Sequence, residues 1–165
     1  MDKDRTQVFP AEYESLAAID RFVSDAAEEA GFDNDAVYQV RLAVDEACSN
    51  IINHAYGGEG RGEIECSCRA QDDDLTVILR DQGAPFDPDS VPPPDLSDDL
   101  EERSGGGLGL YFIRELMDEV DFDFRADAGN VLKLVKRKQD AGREATEGQP
   151  TARVPQPERP ADQAC

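Results

Sequence analysis

Hydrophobic positions along the chain recur with two periods, and the switches between them mark out its elements. From about Glu12 to Ala30, Leu16, Ile19, Phe22, Val23 and Ala26 fall at helical spacing, and Gly31 stops the run. A second helical stretch, from about Asp35 to Tyr56, carries Val37, Val40, Val44, Ala47, Ile51 and Ala55 on one stripe. Asp33 or Asn34 stands where a cap belongs, and Gly57-Gly58 ends it. The period then shortens to two. GEIECSCRA sets Ile64, Cys66 and Cys68 on one face, DLTVILRD sets Leu75, Val77 and Leu79 on one face, and Asp72-Asp73-Asp74 supplies the turn. A third helix carries Leu110, Ile113 and Met117 inward. EVDFDFRA and NVLKLVKRK then read as strands joined by a hairpin at Asp127-Ala-Gly-Asn130. Residues 5–10, RTQVFP, form a leading strand, and Pro10 marks it as an edge or a strand end.

The order strand, helix, helix, strand, strand, helix, strand, strand predicts a two-layer α/β sandwich, a mostly antiparallel sheet with helices on one face. Residues 1–138 make one domain. The tail 139–165, rich in Pro, Gly, Gln and charge, lacks the apolar content for a core and is expected to be disordered. Between Asp81 and the third helix, DQGAPFDPDSVPPPDLSDDLEERSGGG is rich in Pro, Gly and acid, and a loop of that length in a small domain reads as a functional lid or a disordered segment.

A formal charge of −20 narrows the partners. Nucleic acids and anionic membranes are polyanions that this surface repels, so neither is expected to bind, while basic proteins remain open. No stretch has the continuous apolar length of a membrane span, and the opening MDKDRTQVF lacks the form of a secretory signal, so the expected location is the cytoplasm. One histidine and no CxxC pair make a zinc site a poor reading, and the cysteines are expected as reduced core thiols.

Within this frame a few residues stand out. Strand parity puts Asp81 on the same face as Leu75, Val77 and Leu79, so a carboxylate points into the layer between sheet and helices. Burying it is costly without a partner, which is an internal Arg, a backbone N–H, or a ligand donor such as an amino group on a base, with Gly83 leaving room for close approach. Glu46 and Asn50, four apart, share one helix face, and Asn53 continues the polar stripe. That face is either solvated or the seat of a metal on phosphate oxygens, with Asn50 as a hard oxygen ligand suited to Mg²⁺ and Glu46 as general base. His54, near the helix end, reads as a partner of the final carbonyls rather than as a base. The glycines of RSGGGLGL, set against the third helix, are either a hinge or a backbone opened toward a phosphate.

Three runs together carry a resemblance. Glu46-Ala-Cys-Ser-Asn-Ile-Ile-Asn-His-Ala-Tyr56, the run DQGAPFDP from Asp81, and GGGLGLYFIRELMDEV from Gly105 resemble, in order, the nucleotide-binding boxes of the Bergerat-fold ATPases. The forms EAxxNxxxHAY, DxGxPFDP and the closing LMDEV are most similar to the anti-sigma-factor serine/threonine kinases of that superfamily. The resemblance spans about residues 5–138.

It implies ATP and Mg²⁺ as cofactors, with Asn50 as the metal ligand, Glu46 as the catalytic base and Asp81 as acceptor for the adenine amino group. Gly83 is implied beside the base, Gly105, Gly107, Leu108 and Gly109 about the phosphates, and Arg103 near the γ-phosphate. The implied activity is phosphorylation of Ser or Thr on a STAS-domain antagonist protein. Many members also sequester a sigma factor and act as homodimers. Two other functions fit the same fold: an ATP-binding module that sequesters its partner without catalysis, and a detached sensor ATPase. This chain departs from relatives in its acidic lid, in an extra glycine after Arg103, and in Asn130, where relatives often carry a small hydroxyl residue.

Overall fold

A computed structural model describes residues 3–85, 105–125 and 129–138 of the chain. Strand β1 (Lys3–Pro10) leads into a short 3₁₀ turn at Tyr13–Ser15, followed by helices α1 (Leu16–Glu29) and α2 (Asn34–Asn50). Strands β2 (Glu63–Gln71) and β3 (Asp74–Asp81) come next, then helix α3 (Gly105–Leu116) and strands β4 (Glu119–Arg125) and β5 (Gly129–Arg137).

All pairings are antiparallel, in the order β1-β2-β3-β5-β4. The predicted architecture holds, and Pro10 closes an edge strand as its missing N–H requires. Two boundaries differ. The first helix opens with the 3₁₀ turn rather than at Glu12, and the second leaves α-geometry at Asn50 and finishes as a π-helical turn, Ile51–Ala55. Of the two cap candidates, Asp33 serves: its side chain accepts from Ala36 N–H at 2.8 Å. Residues 86–104 of the proposed lid, Arg103 among them, and the tail 139–165 lie outside the described residues.

Alternation decides what the sheet buries. Cys66, Cys68, Val77, Leu79, Leu132 and Leu134 face inward, directly opposed across the strands, and meet Ile19 and Val23 of α1 and Val40, Val44 and Ala47 of α2. The outward face carries polar pairs instead, Glu65 with Arg80 at 2.8 Å, Asp4 with Arg69 at 3.0 Å and Thr6 with Ser67 at 2.9 Å. These exposed pairs contribute little energy. Their effect is to keep that face wet and to direct all helix packing to the other side. Cys48, Cys66 and Cys68 are buried free thiols, as expected, and burial pushes the Cys48 thiol well above its ordinary value.

Leu79 is fully buried at the centre of this sheet. Leu79→Ala should destabilise the fold by about 2–5 kcal/mol, the usual loss for a core leucine with its cavity, measured by denaturant unfolding. A change below about 1 kcal/mol would place the core elsewhere.

Candidate functional site

The inward row at one end of the sheet is Phe9, Ile64, Asp81 and Asn130, set side by side by the strand registers. Two apolar residues thus lead to two buried polar ones: Asp81 is 5% exposed and Asn130 8%. Of the partners open to the Asp81 carboxylate, a backbone N–H is one that the fold supplies. Gly83 N–H donates to Asp81 Oδ1 at 2.9 Å, and Asn130 Nδ2 donates to the same oxygen at 2.9 Å. Burial pushes the Asp81 carboxyl above the ordinary carboxylate range, and these two donors pull it partly back.

Asn130 does more than meet Asp81. Its Nδ2 also reaches the Ala84 carbonyl at 2.9 Å, with the Gly83 carbonyl at 3.4 Å, so it holds the chain as it leaves β3. Gly83 is required there for a reason the sequence does not reveal. A Cβ at this position would lie 2.6 Å from the backbone carbonyl of Ala55, and Ala84 N–H donates to that carbonyl oxygen at 2.7 Å. The space Gly83 leaves is filled by the end of the second helix.

That helix end is the π-helical turn. Tyr56 N–H bonds the Ile51 carbonyl at 2.9 Å, one residue wider than an α-helix allows. The widened turn has three effects. The Tyr56 hydroxyl donates to the Glu63 carbonyl at 2.6 Å and accepts from Gln82 N–H at 2.9 Å, clamping the loop after Asp81. Asn53 leaves the polar stripe and accepts from the Tyr13 hydroxyl, so it does not join Glu46 and Asn50. His54, expected at the helix end only as a partner of carbonyls, lines the cleft described next.

This cleft opens to solvent between the second helix, α3 and the sheet. Ala47, Ile51, Leu110, Ile113, Phe122 and Leu132 give apolar walls, and Asn50, His54, Asp81 and Asn130 are its polar groups. An apolar slot with a few placed polar groups suits a flat organic ligand. Helix α3 closes one side. Gly109 sits so close to α2 that a Cβ would fall 2.8 Å from Glu46 Oε2 and 3.3 Å from Asn50 Nδ2. The glycine-led helix therefore lies directly over the Glu46 and Asn50 face, bringing two of the three sequence motifs into contact.

No group of three His, Cys, Asp or Glu that could hold a metal occurs among the described residues. A cation at Asn50 would have to take most of its ligands from phosphate oxygens and water, which is the habit of Mg²⁺. Of the expected site residues, Asn50 and Asp81 line the cleft, and Gly109 meets Glu46 and Asn50 where α3 crosses α2. Gly83 lies behind the cleft, and Arg103 is outside the described residues. Gly105, Gly107 and Leu108 belong to the first turn of α3. Sequence reasoning missed Tyr56 as a clamp and the contacts that Asn130 makes, and the pairing of Asn130 with Asp81 in the sheet was the signal available for the latter.

The chain belongs to the histidine kinase-like ATPase domain family, whose description matches residues 9–136, and is an ATP-binding domain of that kind. Within the family it stands with the serine-protein kinases. It is 38% identical over 131 residues to serine-protein kinase RsbW of Bacillus velezensis, covering 77% of this chain and 81% of that protein. To RsbW of Bacillus subtilis it is 36% identical over 115 residues, covering 67% and 72%. The chain is thus a protein serine kinase of the anti-sigma-factor type. The fold has a solved counterpart in the structure of the RsbU and RsbW domains of Rv1364c from Mycobacterium tuberculosis. The match has a TM-score of 0.59 at 17% identity, over 82% of this chain and 32% of that one.

Two outcomes test the site. Between the ordinary carboxylate range and the raised native value of Asp81, the folded state holds a proton that the unfolded state has released. Stability from this group therefore falls as pH rises through that window. Asp81→Asn removes the loss, so its Tm relative to the parent should improve as pH rises from about 4 to neutrality, while the Tm gain from adenine nucleotide disappears. A Tm difference that stays flat with pH would contradict the assignment. Gly109→Ala should lower catalysis at least about tenfold by displacing the Glu46 carboxylate, with the fold intact by circular dichroism. Full activity in this variant would show that the contact gives way freely.

Proposed function

We propose that the cleft binds ATP with Mg²⁺ and that the chain phosphorylates a serine or threonine of a STAS-domain antagonist, working as a homodimer in the cytoplasm. A sigma factor is the proposed second partner, held when the antagonist is absent. The observation that carries this reading is the division of labour around one cleft. Asp81 keeps Oδ2 free of any partner among the described residues at the apolar end, while Glu46 and Asn50 sit together under the glycine-led helix at the other.

An adenine ring fits the apolar end, with its amino group toward Asp81. The phosphates then run toward α3, whose first turn, Gly105–Leu108, offers unpaired backbone N–H groups, and Arg103 is assigned to the γ-phosphate. Asn50 supplies a neutral oxygen for the cation. Bound Mg²⁺–ATP supplies the phosphoryl group and neutralises its charge, so the protein's share of the work is orientation and proton removal. Glu46, one helical turn before Asn50, takes the proton from the substrate hydroxyl. Its position against Gly109 limits the directions its carboxylate can take.

The protein partners follow from the charge as well as from the family resemblance. A net charge of −20 argues against attraction to nucleic acid, so the proposed control of transcription runs through a protein that binds it. No helix among the described residues is long and apolar enough to cross a membrane.

Glu46→Gln should reduce phosphotransfer to the antagonist by about two to four orders of magnitude while leaving ATP binding intact, scored by labelled phosphate on the partner. Asn50→Ala should weaken Mg²⁺–ATP binding and transfer together. Transfer at the parent rate in Glu46→Gln would remove it as the base. A parent protein that captures the antagonist tightly without labelling it would favour the sequestering function instead.

A further inference from the structure

The Asn130 carboxamide has only one chemically sensible orientation. Its Nδ2 faces the Asp81 carboxylate and the carbonyls of Ala84 and Gly83, all acceptors. Reversing the amide would set Oδ1 against three other oxygens, so Oδ1 must face the opposite way. Neither this oxygen nor Asp81 Oδ2 has a partner among the described residues. Yet neither is sealed in: the one fully buried side-chain polar atom without a partner among the described residues is Ser24 Oγ. Asn130 and Asp81 are buried residues, and the surface they share is the cleft. The nearby Gly83 N–H is already committed to Asp81 Oδ1.

The Asp81 end of the cleft therefore presents two acceptors on directly paired residues, and the donors beside them are spent inside the protein. We propose that Asn130 is a specificity-determining residue of the nucleotide site: the cleft recognises a purine through both protons of its exocyclic 6-amino group, one on Asp81 Oδ2 and one on Asn130 Oδ1. Ring nitrogen N1, itself an acceptor, then receives no donor from Asn130. This inference rests on the adenine-nucleotide reading above. A purine with a 6-oxo group is rejected, because its oxygen would meet two oxygens and leave both buried acceptors unpaired. A hydroxyl at position 130 can donate as well as accept, and an amide pinned by its nitrogen cannot.

The test is calorimetric titration of the parent, Asn130→Thr and Asn130→Ala, with Mg²⁺ present. The ligands are ADP, purine riboside 5′-diphosphate, which lacks the amine, inosine diphosphate, and 1-deaza-ADP, which lacks the N1 acceptor. For the parent, removing the amine should cost about 100-fold in affinity, roughly tenfold for each of two hydrogen bonds, and inosine diphosphate should bind no better. Loss of N1 should cost less than about threefold. In Asn130→Thr the amine should be worth less, and loss of N1 should now cost about tenfold, because a donor has become available. Asn130→Ala should likewise make the amine worth less, with no new dependence on N1.

A parent that loses tenfold or more with 1-deaza-ADP would overturn the inference, as would an amine worth the same in the parent and in Asn130→Thr. The parent ligand series decides the matter even if both variants fail to fold. A parent that binds no ADP would overturn the adenine-nucleotide reading itself, an outcome distinct from ADP binding with the wrong dependence on N1.

Discussion

A carboxylate buried at the end of an apolar row constrains everything around it. Asp81 occupies an inward position of β3 because strand parity leaves it no other, and its cost is met by a backbone N–H two residues on and by an amide across the sheet. Both donors converge on one oxygen. That leaves the second without a partner among the described residues, and the proposed adenine contact is made there. The loop after β3, the register of β5 and the close approach of the second helix all serve to keep that first oxygen satisfied.

The second helix supplies the rest. One face packs on the sheet through Val40, Val44 and Ala47, and the adjacent face carries Glu46 and Asn50 beneath α3. Core and proposed chemistry therefore share one rigid element, so the groups proposed to handle phosphate are positioned by the same packing that stabilises the domain. The glycine-led helix packs over that face. It touches α2 through a residue with no side chain, and the closeness of that approach sets the height of the roof over Glu46.

Much of this was legible from periodicity. The stripe of α2, the alternation of β2 and β3 and the inward aim of Asp81 all depend on counting within one element, and all hold in the structure. What stayed hidden depends on distances across the fold. The Asn130 amide reaches Asp81 over 49 residues of sequence, the Tyr56 hydroxyl joins Glu63 to Gln82, and Gly83 lies against the Ala55 carbonyl. Asn53 shows the same limit from the other side. Helical counting placed it with Glu46 and Asn50, and a change of helical pitch that leaves no mark in residue type sent it to Tyr13.

That change of pitch can be viewed as a matter of chain length. A π-helical turn is an α-helix that has accommodated one additional residue. If the same residues ran on with ordinary α-geometry, every later side chain would swing by about 100° around the helix axis. The ring of Tyr56 would then point away from the two strands it ties together, with no amino acid in the clamp itself altered. For this segment the pitch is as much a part of the site as residue identity, and a homologous chain one residue shorter here would hold the same tyrosine in place with an ordinary α-helical turn.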